Sequence, residues 1–360
     1  MQQPSSTGLK RRTFRSSSVI GVVTPDIAAF VITHPLHQLI MTKSKKPRRD
    51  YEADLVAGLI ELMEAGTNPW QKEWTSSSDG QHRNMVNGHI YSGGNPALLE
   101  LQMAMRGVDC PLWIPSGAGA KKGWYPKKGS KACCILRPFH VDREVTDTDG
   151  KPVLDDQGNA ERVKFTGFSY TGSIFNAMDM DGEGLADAIK AASNLNEIER
   201  SEPERHEAAE ELLGNWEVRT TFSGNRAYYA PGTDRIQLPG REDFSSSAGL
   251  YATWAHEVIH STGHKKRLER EGIVSSDATF GSDLYAKEEL VAELGAFLLC
   301  NRLQISSKPD NHASYLQSWI RCLKEEPAFL KKSISDATKA ANLLYPQVHE
   351  AVQEKTLTPA

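Results

Sequence analysis

The sequence predicts an α+β protein of two domains, an N-terminal mixed α/β module and a C-terminal, mainly helical domain. Three observations carry that reading. The chain has 360 residues, enough for two ordinary domains. Its first half alternates short helical and strand-like patterns with loops rich in glycine, asparagine and lysine. Its second half is dominated by apolar stripes at helical spacing. The change falls near Asp181-Gly182, which gives domains at 51–181 and 182–345, a basic segment at 1–50 and a tail at 346–360. Hydrophobic residues at 39% and charged residues at 24% describe a soluble globular chain. No apolar run approaches a membrane span, so no membrane partner is expected. The five cysteines form no Cys-x-x-Cys pair, which suits a reducing cytoplasm.

In order along the chain, residues 1–50 are expected to be disordered. Lys10, Arg11, Arg12 and Arg15 precede an apolar run at Val19 to Val23, but Pro25 and Asp26 interrupt it and no clean cleavage site follows. Leu55, Leu59, Leu62 and Met63 predict a helix over 51–65, closed by Gly66. Asn68-Pro69-Trp70 and Trp74 then form an aromatic turn. Asn84 to Asn95 reads as a loop or short hairpin leading into a helix from Pro96 to Met105. Trp113-Ile114-Pro115 is extended. A glycine-bearing loop follows in which Lys121, Lys122, Lys127, Lys128 and Lys131 surround Trp124 and Tyr125. Charge for phosphates and ring faces for bases are what a single-stranded nucleic-acid site needs; a solubilising lysine-rich hairpin is the competing reading. Cys133 to Phe139 and Lys164 to Phe175 read as strands, joined by a polar hairpin excursion over 142–161.

The second half begins with a helical region from Ala186 to Asn215, interrupted at Pro203. Residues 226–229 and 234–238 bracket a Pro231-Gly232 turn as a hairpin. A strand just ahead of the next helix is placed to pair with an extended peptide. That helix carries His256-Glu257-Val258-Ile259-His260. At four-residue spacing the two imidazoles project from one face and can share one metal ion, while Glu257 is placed to take a proton from water. Gly263 is expected to end the helix, and His264 just beyond it reads as a supporting or structural side chain. A metzincin would need histidine at position 266, which is Lys266. The third ligand is sought instead on the helical pattern at 285–299. There Glu289 and Glu293 share a face and repel unless one binds metal and the other holds a ligand histidine by its free N–H. Glu289 is taken as the ligand and Glu293 as that support, an arrangement resembling the gluzincins; a plain solvated acidic face formed with Glu288 is the competing reading. Residues 311–324 and 328–344 are further helices, with Tyr315, Trp319, Ile320 and Leu323 read as core.

The chain resembles the ArdC-type antirestriction proteins, also found as the N-terminal part of TraC-type plasmid primases. The resemblance covers most of 51–345. It rests on Glu64-Ala65-Gly66-Thr67-Asn68-Pro69-Trp70, the Asn84 to Asn95 stretch, Lys127-Lys128-Gly129-Ser130, Ser173-Ile174-Phe175-Asn176, the Asp234 to Pro239 strand, the His256 to His264 segment, Glu288 to Leu294, and Tyr315 to Trp319. It departs from the family in 1–50 and in the longer, more acidic 142–161 insert. The resemblance implies an N-terminal single-stranded-DNA-binding domain and a C-terminal zincin-like metallopeptidase domain with Zn2+ or another divalent metal. It also implies a protein that travels with, or protects, incoming DNA of a mobile element. It leaves the protein substrate unknown. A rival reading from another class is a DNA-binding shield whose metal site is purely structural. A closed fourth coordination position would favour that rival; an intact Glu257 favours the enzyme.

Overall fold

The computed structural model describes residues 49–71, 81–146, 151–194, 201–308 and 315–346. The expectations for residues 1–48, Trp74 and the 347–360 tail lie outside these. Helix α1 (Tyr51–Glu64) starts where Asp50 caps it, its side chain accepting from the Ala53 amide at 3.0 Å. Gly66, at φ +79°, turns the chain out of the helix in a conformation that L side chains resist. Then follow β1 (Arg83–Asn84), α2 (Asn95–Ala104), β2 (Leu112–Pro115), α3 (Ser116–Lys121), β3 (Tyr125–Pro126), β4 (Cys133–Glu144), β5 (Arg162–Asn176) and β6 (Met180–Asp181). A four-stranded sheet has the order β1-β2-β5-β4, while β3 pairs only with β6. The β4–β5 hairpin is antiparallel from Cys133↔Ile174, shifts register at a bulge between Cys133 and Cys134, and then runs unbroken from Cys134↔Gly172 out to Glu144↔Arg162; bridges beyond it continue the excursion expected at 142–161.

Packing carries the first module past the division read at 181. Helix α4 (Leu185–Asn194) buries Leu185 and Ala192 against Leu112, Ile114 and Trp124. Pro203 opens a helix instead of interrupting one. It lies in the first turn of α5 (Glu202–Gly214), where its missing N–H has no partner to lose, inside a Ser201–Glu204 capping box.

The second half adds β7 (Thr220–Phe222), β8 (Tyr228–Ala230) and β9 (Arg235–Leu238) in the order β7-β9-β8, with β7 parallel to β9 and β8 antiparallel to it. The strand just ahead of the His-Glu-x-x-His helix, β9, is therefore the middle one, and its two sides are already paired. A peptide cannot add there, contrary to the expectation; the outer strands are β7 and β8. Next come α6 (Ser247–Thr262), α7 (Glu271–Val274), α8 (Asp283–Leu303), α9 (Leu316–Glu325) and α10 (Phe329–Leu344). Among the described residues no helix is long and apolar enough to cross a membrane.

One apolar core runs through both halves. Leu55, Leu59, Trp70 and Leu98 from the first belong to the same cluster as Ile259, Leu290, Leu294 and Trp319 from the second. Helices α6 and α8 lie at its centre and are buried along most of their length. Their approach depends on Gly295, where an added Cβ would sit 2.7 Å from Ile259 Cγ2. Gly295→Ala should therefore lower unfolding stability by about 1–3 kcal/mol, as overpacking a tight core does. An unchanged midpoint in chemical denaturation would show that the two helices separate without cost.

Candidate metal centre and basic loop

Helix α6 is capped by Ser246, whose hydroxyl accepts from the Gly249 amide at 3.0 Å. It ends at Gly263, as expected, but with φ −78° and not in the left-handed conformation. The glycine is required for space. A Cβ there would lie 2.9 Å from the guanidinium of Arg270, which passes beneath to reach the helix end. Along α6, His256 and His260 point their Nε2 atoms at each other, 3.1 Å apart. From α8, Glu289 places Oε2 3.4 Å from His256 Nε2 and Oε1 3.5 Å from His260 Nε2. These residues bring three ligand atoms within 4.8 Å of one another, all buried. Donors bound tetrahedrally at ~2.0–2.1 Å stand about 3.3 Å apart, so the set fits one divalent ion. Two imidazoles and a carboxylate suit a borderline or harder dication.

The local field also favours a cation. Burial opposes charge on His260, but the carboxylates of Glu289 and Glu288 outweigh it and hold the pKa up at about 10. Burial likewise opposes ionisation of Glu289, yet the neighbouring histidines hold its carboxyl below the usual range. Glu257 is buried, and desolvation pushes its carboxyl up despite both histidines, as suits a general base. It lines a cleft of about 460 Å³ together with the three ligand candidates, Tyr228 and Tyr229 of β8, Tyr285 and Tyr315.

The supporting residues differ from expectation. His260 Nδ1 meets Glu288 Oε1 at 3.1 Å, so Glu288 orients this imidazole. Glu288 is in turn held by Arg270, with Nε donating to Oε2 at 2.9 Å and Nη2 to Oε1. A solvated acidic face is thereby excluded: Glu288, Glu289 and Glu293 are each under 5% exposed. Glu293 faces His256 Nδ1 as expected, but at 3.9 Å, beyond hydrogen-bond length. His264 takes no part in the ligand cluster. Its Nδ1 accepts from the Lys266 amide at 3.3 Å and lies 3.8 Å from Asp234, so it braces the turn after α6. Tyr315, read from sequence as core, lines the cleft, and its hydroxyl lies 3.3 Å from that of Tyr285. Glu288 had a sequence signal, since it lies 100° around the helix from Glu289 and needs its own partner. Arg270 had none, because the loop that returns it to α6 has no local pattern.

In the basic loop the lysines and the rings part ways. Lys121, Lys122, Lys127, Lys128 and Lys131 are exposed, and Tyr125 is 59% exposed. Trp124 is not the exposed platform expected. It is 7% exposed, packs with Leu112 and Met180, and donates from Nε1 to the Glu183 carbonyl at 3.2 Å. The loop is tied down by the Lys127 amide and the Ser130 hydroxyl, which both donate to the Asp179 carbonyl, and by Lys127 Nζ on the Met178 carbonyl. Sequence reasoning missed Phe139 and Phe168, which are exposed on the β4–β5 hairpin at 42% and 47%.

Comparison with known proteins agrees with this architecture. Residues 207–338 match the family described as zincin-like metallopeptidase, and residues 49–171 match the N-terminal domain of anti-restriction factor ArdC. The metal-free crystal structure of antirestriction ArdC protein from R388 plasmid is 31% identical; the match covers 82% of this chain and 97% of that one, with TM-score 0.58. Its Mn(II)-bound structure gives 30% identity, the same coverage and TM-score 0.55. The DNA primase TraC of Escherichia coli is 33% identical over 328 residues, which are 89% of this chain and 29% of the primase. This chain thus spans less than a third of that relative's length. Fold and site together define a zincin-like domain joined to an ArdC N-terminal domain. The chain belongs to the ArdC family of antirestriction proteins.

If the ligands are those read from the geometry, His256→Ala and Glu289→Ala should each strip about one divalent ion per chain, while His264→Ala keeps it. Elemental analysis of the purified variants decides this, and metal loss on His264→Ala would move the site.

Proposed function

We propose that the protein is a metal-dependent peptidase, with Zn2+ or Mn2+ as its metal, whose N-terminal domain binds single-stranded DNA. The observation that carries the reading is Glu257. A purely structural site has no use for a carboxylate beside the ligands, and this one is buried at the wall of an open cleft. The Mn(II)-bound relative and the primase relatives support a divalent metal and work on DNA.

When bound, the metal supplies Lewis acidity for the scissile carbonyl and lowers the pKa of water. His256, His260 and Glu289 would hold it, from two helices packed together where Gly295 meets Ile259. Glu257 takes the proton of the attacking water on its carboxylate and returns it to the departing amine. Burial holds the hydroxyls of Tyr285 and Tyr315 protonated, and since the two lie 3.3 Å apart, one donates to the other and the remaining O–H is a donor for a substrate carbonyl. Strand β8 lines the cleft on the outer side of its sheet, where an extended peptide can pair. Glu257→Gln should leave metal content and stability intact and lower peptide hydrolysis by two or more orders of magnitude. Cleavage at the wild-type rate in that variant removes Glu257 from the mechanism.

For DNA, the lysines of the basic loop neutralise phosphates and Tyr125 offers its ring face. The full-length protein should prefer single strands to duplex, without strong sequence preference. Replacing Lys121, Lys128 and Lys131 together by alanine should weaken binding and flatten its salt dependence, since each phosphate contact releases counterions. Tyr125→Ala should cost roughly 1–3 kcal/mol of binding at nearly the same salt slope. Equal affinity for duplex and single strands in a titration, or no loss on removing the lysines, would place the DNA surface elsewhere.

A further inference from the structure

The Asn68-Pro69-Trp70 turn belongs to the N-terminal domain, yet one of its side chains ends at the metal centre. Asn68 Nδ2 donates to Glu293 Oε1 at 3.0 Å. The orientation of that amide is settled by its other end, because Asn68 Oδ1 accepts from the Trp70 amide at 3.1 Å. The amide group must therefore present N–H to Glu293. The turn itself is fixed in place. Trp70 is fully buried, its Nε1 donates to the Ala97 carbonyl at 3.1 Å, and its carbonyl accepts from Ser307 Oγ at 2.7 Å. Glu293 in turn directs Oε2 toward His256 Nδ1 at 3.9 Å, and His256 Nε2 is the ligand atom facing His260 and Glu289.

We infer that Asn68 is a positioning residue for the metal centre, contributed by the DNA-binding domain: through Glu293 it holds His256 with Nε2 aimed at the ion. This rests on the reading of His256, His260 and Glu289 as ligands. The chemistry is direct. A fixed N–H on Oε1 sets the orientation of the Glu293 carboxyl and keeps Oε2 turned toward His256 Nδ1, at 3.9 Å. With Nδ1–H turned to that carboxyl, the lone pair of His256 is on Nε2, where a ligand needs it. Gln71 also hydrogen-bonds Glu293, so removing the Asn68 donor loosens the orientation of the carboxyl without abolishing it. A metallopeptidase domain would then carry its ligands but hold one of them loosely.

The experiment measures Co2+ affinity of the full-length protein by chelator competition, together with the visible spectrum of the Co2+-loaded form and thermal unfolding of the metal-free form. Asn68→Asp is the informative variant. Its carboxylate still accepts from the Trp70 amide and preserves the turn, but it replaces the N–H facing Glu293 by a second acceptor. It should weaken Co2+ binding by about tenfold or more, within the range known for groups that orient metal ligands, and shift the Co2+ spectrum. Asn68→Ala should weaken binding in the same direction, and neither change should add to that of Glu293→Gln. Unaltered affinity and spectrum in Asn68→Asp, or effects that add fully to Glu293→Gln, overturn the inference, as does a variant that only lowers the unfolding temperature. His256→Ala separates the two layers of the argument. If it retains wild-type Co2+ affinity, the ligand assignment fails and this inference with it; if it abolishes binding while Asn68→Asp binds normally, only the role of Asn68 falls.

Discussion

Glu257, Glu288, Glu289 and Glu293 are buried beside His256 and His260 between two apolar helices, and the rest of the structure answers to that constraint. Burying one carboxylate without a partner is expensive, and burying several side by side compounds the cost with mutual repulsion. Three of them have a specific answer. Arg270 neutralises Glu288 through paired hydrogen bonds, and breaking such a buried pair by removing one partner typically costs about 3–5 kcal/mol. Asn68 supplies an N–H to Glu293. Glu289 is left to the two histidines, which hold its carboxyl below the usual range. The glycines fall into place on the same logic. Gly263 makes room for Arg270, Gly272 for Glu288, and Gly295 for the contact of the two helices.

This arrangement also explains why the two domains share a core instead of meeting at a polar surface. The Asn68 turn has to stay at a fixed distance from α8, and it does so because Trp70 is sealed among residues of both halves. A flexible linker would let a two-domain protein move its parts freely. Here the N-terminal domain is packed against the helix that carries Glu289. The basic loop is rigid in a similar way, since β3 is tied to β6 and Trp124 is a buried anchor that presents Tyr125 and the lysines outward.

The helices and strands were legible in the chain wherever the pattern was local. The stripes at 51–65, 285–299 and 328–344, the hairpin on either side of the 142–161 excursion and the helix stop at Gly263 all appear where their spacing puts them. Pro203 was misread because a proline inside a helical stretch and one in a first turn look alike until the cap before it is noticed. Trp124 was misread because lysines around a ring say nothing about which way the ring faces. Its burial comes from Leu112 and Met180, which lie on other strands.

What the sequence by itself determined is the chemistry available on each helix. His256, Glu257 and His260 share a turn because of the 3.6-residue period, and Glu289 and Glu293 share a face for the same reason. Only the tertiary structure decided which groups meet across elements. It paired Glu288 with His260 and Arg270, sent His264 to the Asp234 turn, made β9 a middle strand, and brought Asn68 to Glu293 across 225 positions of chain. A helical period relates residues three or four apart. Contacts over longer separations depend on how the apolar faces pack, and no local pattern records that.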